Sequence, residues 1–153
     1  ALNPDVKITA IDDELTCDSA ERLVPNSHIV VDCLDNWKSR FILNQICVKL
    51  GKPLVHGGVR GLSGQVMTII PRKTPCLRCV LGDAREEEME VPVIGPTVGI
   101  IGSIQALEVM KLVTGIGDPL CGRLLVFDGY SMDFEVIEIV KRQDCPVCGG
   151  GNG

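Results

Sequence analysis

The chain of 153 residues predicts an α/β fold built on a largely parallel sheet. Three observations carry that expectation. Short apolar runs of strand length alternate with longer stretches of helical periodicity, the pattern of strand–helix–strand units. The run at residues 28–33 shows no inside–outside alternation, as in a parallel strand covered on both faces. Two Cys-x-x-C pairs, Cys76/Cys79 and Cys145/Cys148, place metal-binding chemistry mid-chain and again near the end.

Taken in order, Asn3-Pro4-Asp5 is turn chemistry, and Val6-Lys7-Ile8-Thr9-Ala10-Ile11 alternates like a half-buried strand. Residues 17–24 suit a short helix that Pro25-Asn26 ends. Behind the strand at 28–33, a helix is expected over 37–50, closed by Gly51. Between them lies Leu34-Asp35-Asn36, beyond a strand's carboxyl end and at a helix N-terminus, where open α/β sheets bind ligands. A carboxylate there can hold a phosphate-carrying metal. Aspartate is also a preferred N-cap, and from the residues alone the cap is the favoured reading of Asp35.

Residues 53–58 read as another buried strand entering a glycine-rich turn that lacks phosphate-loop spacing. His56 in that run is read as a satisfied core histidine rather than a catalyst. Residues 64–70 form a strand pattern stopped by Pro71, and the acidic run at 83–90 reads as a solvated loop. Residues 97–114 are apolar nearly all round, which predicts a buried helix with Pro96 in its first turn and Gly115 past its end. Gly99 and Gly102 inside it are expected to mark close packing. Residues 124–128 and 134–139 suit two strands joined by a turn, and the glycine-rich tail at 149–153 is expected to be disordered.

Composition narrows the function. The length suits one domain, set at residues 1–148. The net charge of −5, with one Trp and one Tyr, lacks the basic face and stacking aromatics of nucleic-acid binders. No leader is evident, and no apolar run approaches the roughly 20 residues of a membrane span, so no membrane partner is expected. Four of the eight cysteines lie outside the pairs, mostly in apolar or helical contexts, which suits a reducing, cytoplasmic setting. The paired cysteines are read as one structural zinc site that staples the tail to the middle of the chain. Two disulfides, or one redox pair beside an accidental one, are the alternatives.

Beyond that the residues resemble a family. Asp32-Cys33-Leu34-Asp35-Asn36, followed by Arg40, Asn44 and Cys47, resembles the D-C-x-D-N block of ubiquitin-activating-enzyme-like adenylyltransferases, which include the ThiF, MoeB and HesA enzymes. Pro53-Leu54-Val55, Gly64-Gln65, Pro75-Cys76-Leu77-Arg78-Cys79, Gly95-Pro96, Gly102 to Glu108, Lys111, Phe127-Asp128 and the closing Cys-Pro-x-Cys-Gly resemble the following blocks in order. The resemblance implies a Rossmann-like sheet with a zinc-stapled end. It implies ATP and Mg as cofactors, and adenylation of the C-terminal glycine of a ubiquitin-like sulfur carrier ending Gly-Gly. It assigns the magnesium to Asp35, reversing the cap reading, with Asn36 beside the nucleotide and Arg40 as a catalytic helper; a salt bridge to a neighbouring acid is the other reading of Arg40.

The resemblance carries two departures. No cysteine lies between Cys79 and Cys121, where many relatives carry a sulfur-accepting one, so the chain resembles adenylation-only members. The family's glycine-rich phosphate turn and ribose-binding acid would precede Ala1. The chain is therefore expected to be the C-terminal part of the enzyme, inactive alone, with a homodimer partner or a complementing N-terminal half. The alternative is a non-catalytic scaffold half of a heteromeric activating enzyme. Residues 1–25 are expected to be poorly anchored or rearranged, with 6–11 not pairing beside 29–33.

Overall fold

A strand–helix–strand unit sits at the head of the sheet. In the computed structural model, which describes residues 3–82 and 92–150, it consists of β1 (Val30–Asp32), α2 (Trp37–Leu50) and β2 (Leu54–Arg60). β1 and β2 run parallel, Val30 opposite Leu54 and Asp32 opposite His56. The ends of α2 follow from its boundary residues. Asn36 accepts the Ser39 N–H at 2.8 Å as N-cap, and Gly51 takes φ +68° as the left-handed stop.

The rest of the sheet departs from the parallel expectation. Its order is β1-β2-β3-β4-β5, and only the first pair is parallel. β3 (Ser63–Ile69), β4 (Arg123–Asp128) and β5 (Asp133–Glu138) each pair antiparallel to the strand before them. The reason lies in connection length. Arg60 faces Ser63 across a two-residue turn, and so short a link cannot carry a strand back to a parallel start. Gly61 opens that turn at φ +58°, a conformation glycine reaches without steric penalty. The α/β class stands, with helices on both faces.

Leu54, Met67, Ile69 and Leu124 pack on one face with Leu43, Ile46 and Cys47 of α2 and Ala20 of α1 (Cys17–Leu23). Leu77 of the short helix α3 (Leu77–Leu81) joins the same cluster. Val55, Val66 and Phe127 pack on the opposite face against Ile101 of α4 (Gly95–Thr114).

α4 is not buried all round. Thr97, Ile101, Gln105 and Glu108 face inward, whereas Leu107, Met110 and Val113 are 58–69 % exposed. Nothing lies near the positions a Cβ would take on Gly99 or Gly102, so close packing does not explain them. α4 also has the length and hydropathy of a membrane span, but its buried Gln105 and Glu108 face the sheet that it covers.

Residues 6–11 form no strand, and Ile8 is 80 % exposed. Alternation makes a strand only when an edge is there to pair with. Residues 6–11 indeed do not pair beside β1, whereas α1 is docked, with Ala20 fully buried. The acidic run and residues 151–153 lie outside the described residues. Gly149 and Gly150, read as the start of a disordered tail, donate to the carbonyls of Cys145 and Gln143.

Candidate functional site

Asp35 and Asn36 divide two jobs at the N-terminus of α2. Asn36 is the cap: its Oδ1 takes the Ser39 N–H, and its Nδ2 donates to Asp35 Oδ1 at 2.9 Å. Asp35 is exposed and caps nothing, so its carboxylate is available just beyond β1 and beside the positive end of the helix dipole. A single exposed carboxylate in this position fits magnesium, which takes one or two protein carboxylates and keeps its remaining positions for water and phosphate oxygens.

Arg40 lies one turn into α2 and points inward. Its Nη1 donates to the Gly57 carbonyl at 2.6 Å, its Nη2 donates to the Leu34 carbonyl, and Nη1 stands 3.5 Å from Asp32 Oδ2. The side chain is 8 % exposed and pairs with a neighbouring acid. Asp32 in turn accepts the Leu34 N–H on Oδ1 at 3.0 Å and faces His56 Nδ1 with Oδ2 at 2.6 Å. From the opposite face of the sheet, Gln105 Nε2 donates to the Asp32 carbonyl oxygen at 2.8 Å.

His56 is fully buried, and burial pushes its pKa down against the pull of Asp32. Its contact with Asp32 is therefore a hydrogen bond from a neutral ring, Nδ1–H to carboxylate. Nε2 is left to accept the Gln65 amide 3.0 Å away. The reading of His56 as a satisfied core residue is what the geometry shows.

A second cluster lies on the α2 side of the sheet. The Sγ atoms of Cys76, Cys79, Cys145 and Cys148 all fall within 4.8 Å of one another. The Cys76–Cys145 and Cys79–Cys148 separations are 3.7 and 3.3 Å. A tetrahedral ion with Zn–S bonds of about 2.3 Å sets its sulfurs about 3.8 Å apart. The sulfurs thus form one group of four rather than two separate pairs. Burial would raise the Cys145 thiol, but the backbone N–H groups of Cys148 and Val147 overcome it and bring its pKa down to about 7.

Asn44 supplies a further test of fit for a metal. It is fully buried, its Oδ1 accepts the Leu77 N–H at 3.0 Å, and its Nδ2 has no hydrogen-bond partner among the described residues. It lies beside Cys76, whose thiol burial pushes up while the nearby amide favours the thiolate. An orphan donor beside a sulfur is satisfied when that sulfur is a metal-bound thiolate. The four cysteines and Asn44 fit a zinc ion.

The profile of the ThiF family matches residues 1–147. The chain belongs to the ThiF family. Among curated ThiF-type proteins it is 39 % identical to the sulfur carrier protein ThiS adenylyltransferase of Escherichia coli, covering 99 % of this chain and 61 % of that protein. It is 40 % identical to a SAMP-activating enzyme of Haloferax volcanii, covering 98 % of this chain and 57 % of the relative. The chain thus spans about three fifths of the length of these relatives. A crystal structure of Escherichia coli MccB with ATP superposes with a TM-score of 0.75 over 93 % of this chain and 45 % of that one, at 18 % identity, which shows the fold.

The site contains residues that pattern reading passed over. Asp32 opens the D-C-x-D-N block, but its apolar strand drew attention to burial rather than to a carboxylate needing partners. Gln105 was visible as a polar residue in a helix otherwise apolar nearly all round. Such residues are buried only when bonded, and that was the available signal.

Proposed function

We propose that this chain carries the Asp35 side of an ATP-dependent adenylyltransferase that activates the C-terminal glycine of a ubiquitin-like sulfur carrier. The observation that carries the reading is Asp35 itself. It is an exposed carboxylate past the end of β1, at the N-terminus of α2, relieved of capping by Asn36. The relatives add the reaction class, since the Escherichia coli protein is named a ThiS adenylyltransferase.

In this reading Asp35 would hold the magnesium that accompanies ATP, and that ion would supply neutralisation of phosphate charge. A carboxylate oxygen of the carrier's terminal glycine attacks the α-phosphorus of ATP. The bond from that phosphorus to the bridging oxygen breaks, and pyrophosphate leaves with the electron pair. The chain's part is positional: Asn36 fixes the start of α2, and Arg40 ties the loop before Asp35 to β2. The partner is a small carrier ending in Gly-Gly. A second copy, or a complementing N-terminal half, supplies the remaining nucleotide contacts. Zinc at the four cysteines is structural, because four protein ligands leave no position for a catalytic water.

ATP–pyrophosphate exchange by the full-length protein, with a Gly-Gly-ended carrier, tests the proposal. Asp35→Asn keeps the side chain's shape and removes its charge, so exchange should be abolished with the fold intact. Undiminished exchange in that variant, or none in the wild type with any such carrier, would overturn the reading.

A further inference from the structure

Leu34, the residue immediately before Asp35, has both of its backbone polar groups held by side chains. Its N–H goes to Asp32 Oδ1 at 3.0 Å, and its carbonyl takes Arg40 Nη2. Asp32 is held in turn: His56 donates to its second oxygen at 2.6 Å, and Gln105 of α4 donates to its carbonyl at 2.8 Å. The loop leaving β1 is thus gripped from both faces of the sheet. Asp32 and His56 are each at most 1 % exposed, and Gln105 is 5 % exposed, so these bonds are shielded from competing water.

We propose that His56 and Asp32 are positioning residues for the loop that presents Asp35. The inference rests on the proposed function for its consequence in metal binding, but not for the loop geometry itself. The decisive atom is the proton on His56 Nδ1. It fixes Asp32 Oδ2, which leaves Oδ1 aimed at Leu34 N–H. The groups facing the ring from the elements packed on it are Asp32 of β1, Arg40 of α2 and the uncharged Gln65 of β3. Arg40 Nη1, 3.4 Å from Nδ1, disfavours a second positive charge on the ring. Gln65 donates to Nε2 and so selects the Nδ1–H tautomer. A lysine or arginine at position 56 could pair with Asp32, but it would bring a charge beside Arg40; neutral histidine donates without one.

Two substitutions separate the ring's two bonds. In His56→Asn the amide nitrogen stands near the Nδ1 position and keeps a donor for Asp32. In His56→Gln the polar group stands near the Nε2 position, so the bond to Asp32 is lost and a partner for Gln65 remains. Hydrogen–deuterium exchange of the chain reads the loop directly. The Leu34 amide should exchange about tenfold faster in His56→Gln and within about threefold of wild type in His56→Asn, with α2 amides unchanged in both, since Asp32 loses the donor that aims it at Leu34 only in the first. An unchanged Leu34 amide in His56→Gln, or equal acceleration in both variants along with α2, would overturn the proposal. Should His56→Gln fail to fold, ring ¹⁵N shifts of the wild type decide: an Nε2–H tautomer or an imidazolium at pH 7 refutes it.

Magnesium dependence in the full-length protein separates this inference from the functional reading. The magnesium concentration for half-maximal pyrophosphate exchange should rise about tenfold in His56→Gln, with kcat at saturating magnesium much less affected. A wild-type requirement in His56→Gln, where Asp35→Asn is inactive, sinks the positioning role and leaves the function standing. No exchange in the wild type, with Leu34 loosened as described, sinks the function and leaves the positioning role standing.

Discussion

Glu108 offers the sharpest test of how α4 is fastened to the sheet. This carboxylate is 1 % exposed. One oxygen accepts from Thr68 Oγ1 at 2.5 Å and from the Leu120 N–H at 2.7 Å, and the other pairs with Lys111 one turn along the helix. It therefore joins α4, β3 and the segment entering β4. Glu108→Ala leaves the Thr68 hydroxyl and the Leu120 amide buried without an acceptor, and each such orphan costs about 1–3 kcal/mol. Lys111 adds little, because its side chain is 31 % exposed and water replaces the lost pairing. The expected loss is about 3–5 kcal/mol, a large share of the roughly 5–15 kcal/mol that holds a domain together. Urea unfolding followed through the single Trp, Trp37, measures it, and the midpoint temperature should fall by about 8–15 °C. The double variant Glu108→Ala/Thr68→Val removes one orphan together with its partner and should recover about 1 kcal/mol or more over the additive expectation. A Glu108→Ala protein within about 0.5 kcal/mol of wild type would refute the account, as would strict additivity in that cycle.

Further outcomes follow from the same contacts. Purified protein should hold about one zinc per chain, and Cys145→Ser should release it, read by metal analysis. Asn44→Asp keeps the acceptor for Leu77 but puts a carboxylate where the amide donor stood beside Cys76, so competition with a chromophoric chelator should show zinc affinity weakened about 10–100-fold. The His56 pKa is lowered on folding, so the unfolded chain binds a proton first. Stability is then full above about pH 6.5 and declines as pH falls below it, by at most about 1.4 kcal/mol per unit for one proton. His56→Asn should remove that share of the decline in urea unfolding between pH 7 and pH 5.5. In Gly57→Ala the added Cβ would lie 2.5 Å from Gln105 Nε2, so the bonds of that amide to the Asp32 and Val55 carbonyls must shift. A loss of about 1–3 kcal/mol is expected, and an unchanged melting temperature would count against the clamp.

What the sequence made legible was what short-range rules decide. Asn36 and Gly51 bracket α2 because capping is local, and four sulfurs in two turns announce one metal because no other residue set is needed. What stayed hidden depends on distant partners. An apolar run such as Leu54–Arg60 reads the same whether its neighbour is parallel or antiparallel, and only the short turn at Gly61 separates the cases. The alternation at Val6–Ile11 lacked its pairing edge among the described residues. The apolar character of α4 named a buried helix, but residue type cannot reveal that Leu107, Met110 and Val113 face outward. The grip on Leu34 draws residues from β1, α2, β2 and α4, and no spacing rule links Asp32 to Gln105, 73 positions apart.

The β2–β3 register has a consequence for how this chain can drift over generations. His56 and Met67 face α2, whereas Gly57 and Val66, one step on, face α4. The two sides differ by parity alone. An odd insertion upstream of His56 within β2 would send the imidazole toward Ile101 and bring a side chain to the slot beside Gln105 that only glycine fills. The Gly61-Leu62 turn is held as well, Gly61 N–H donating to the Pro92 carbonyl at 2.7 Å and Gly129 N–H to the Leu62 carbonyl at 2.9 Å. Within the strand, the spacing from Val55 to Gly57 is as constrained as the residues themselves.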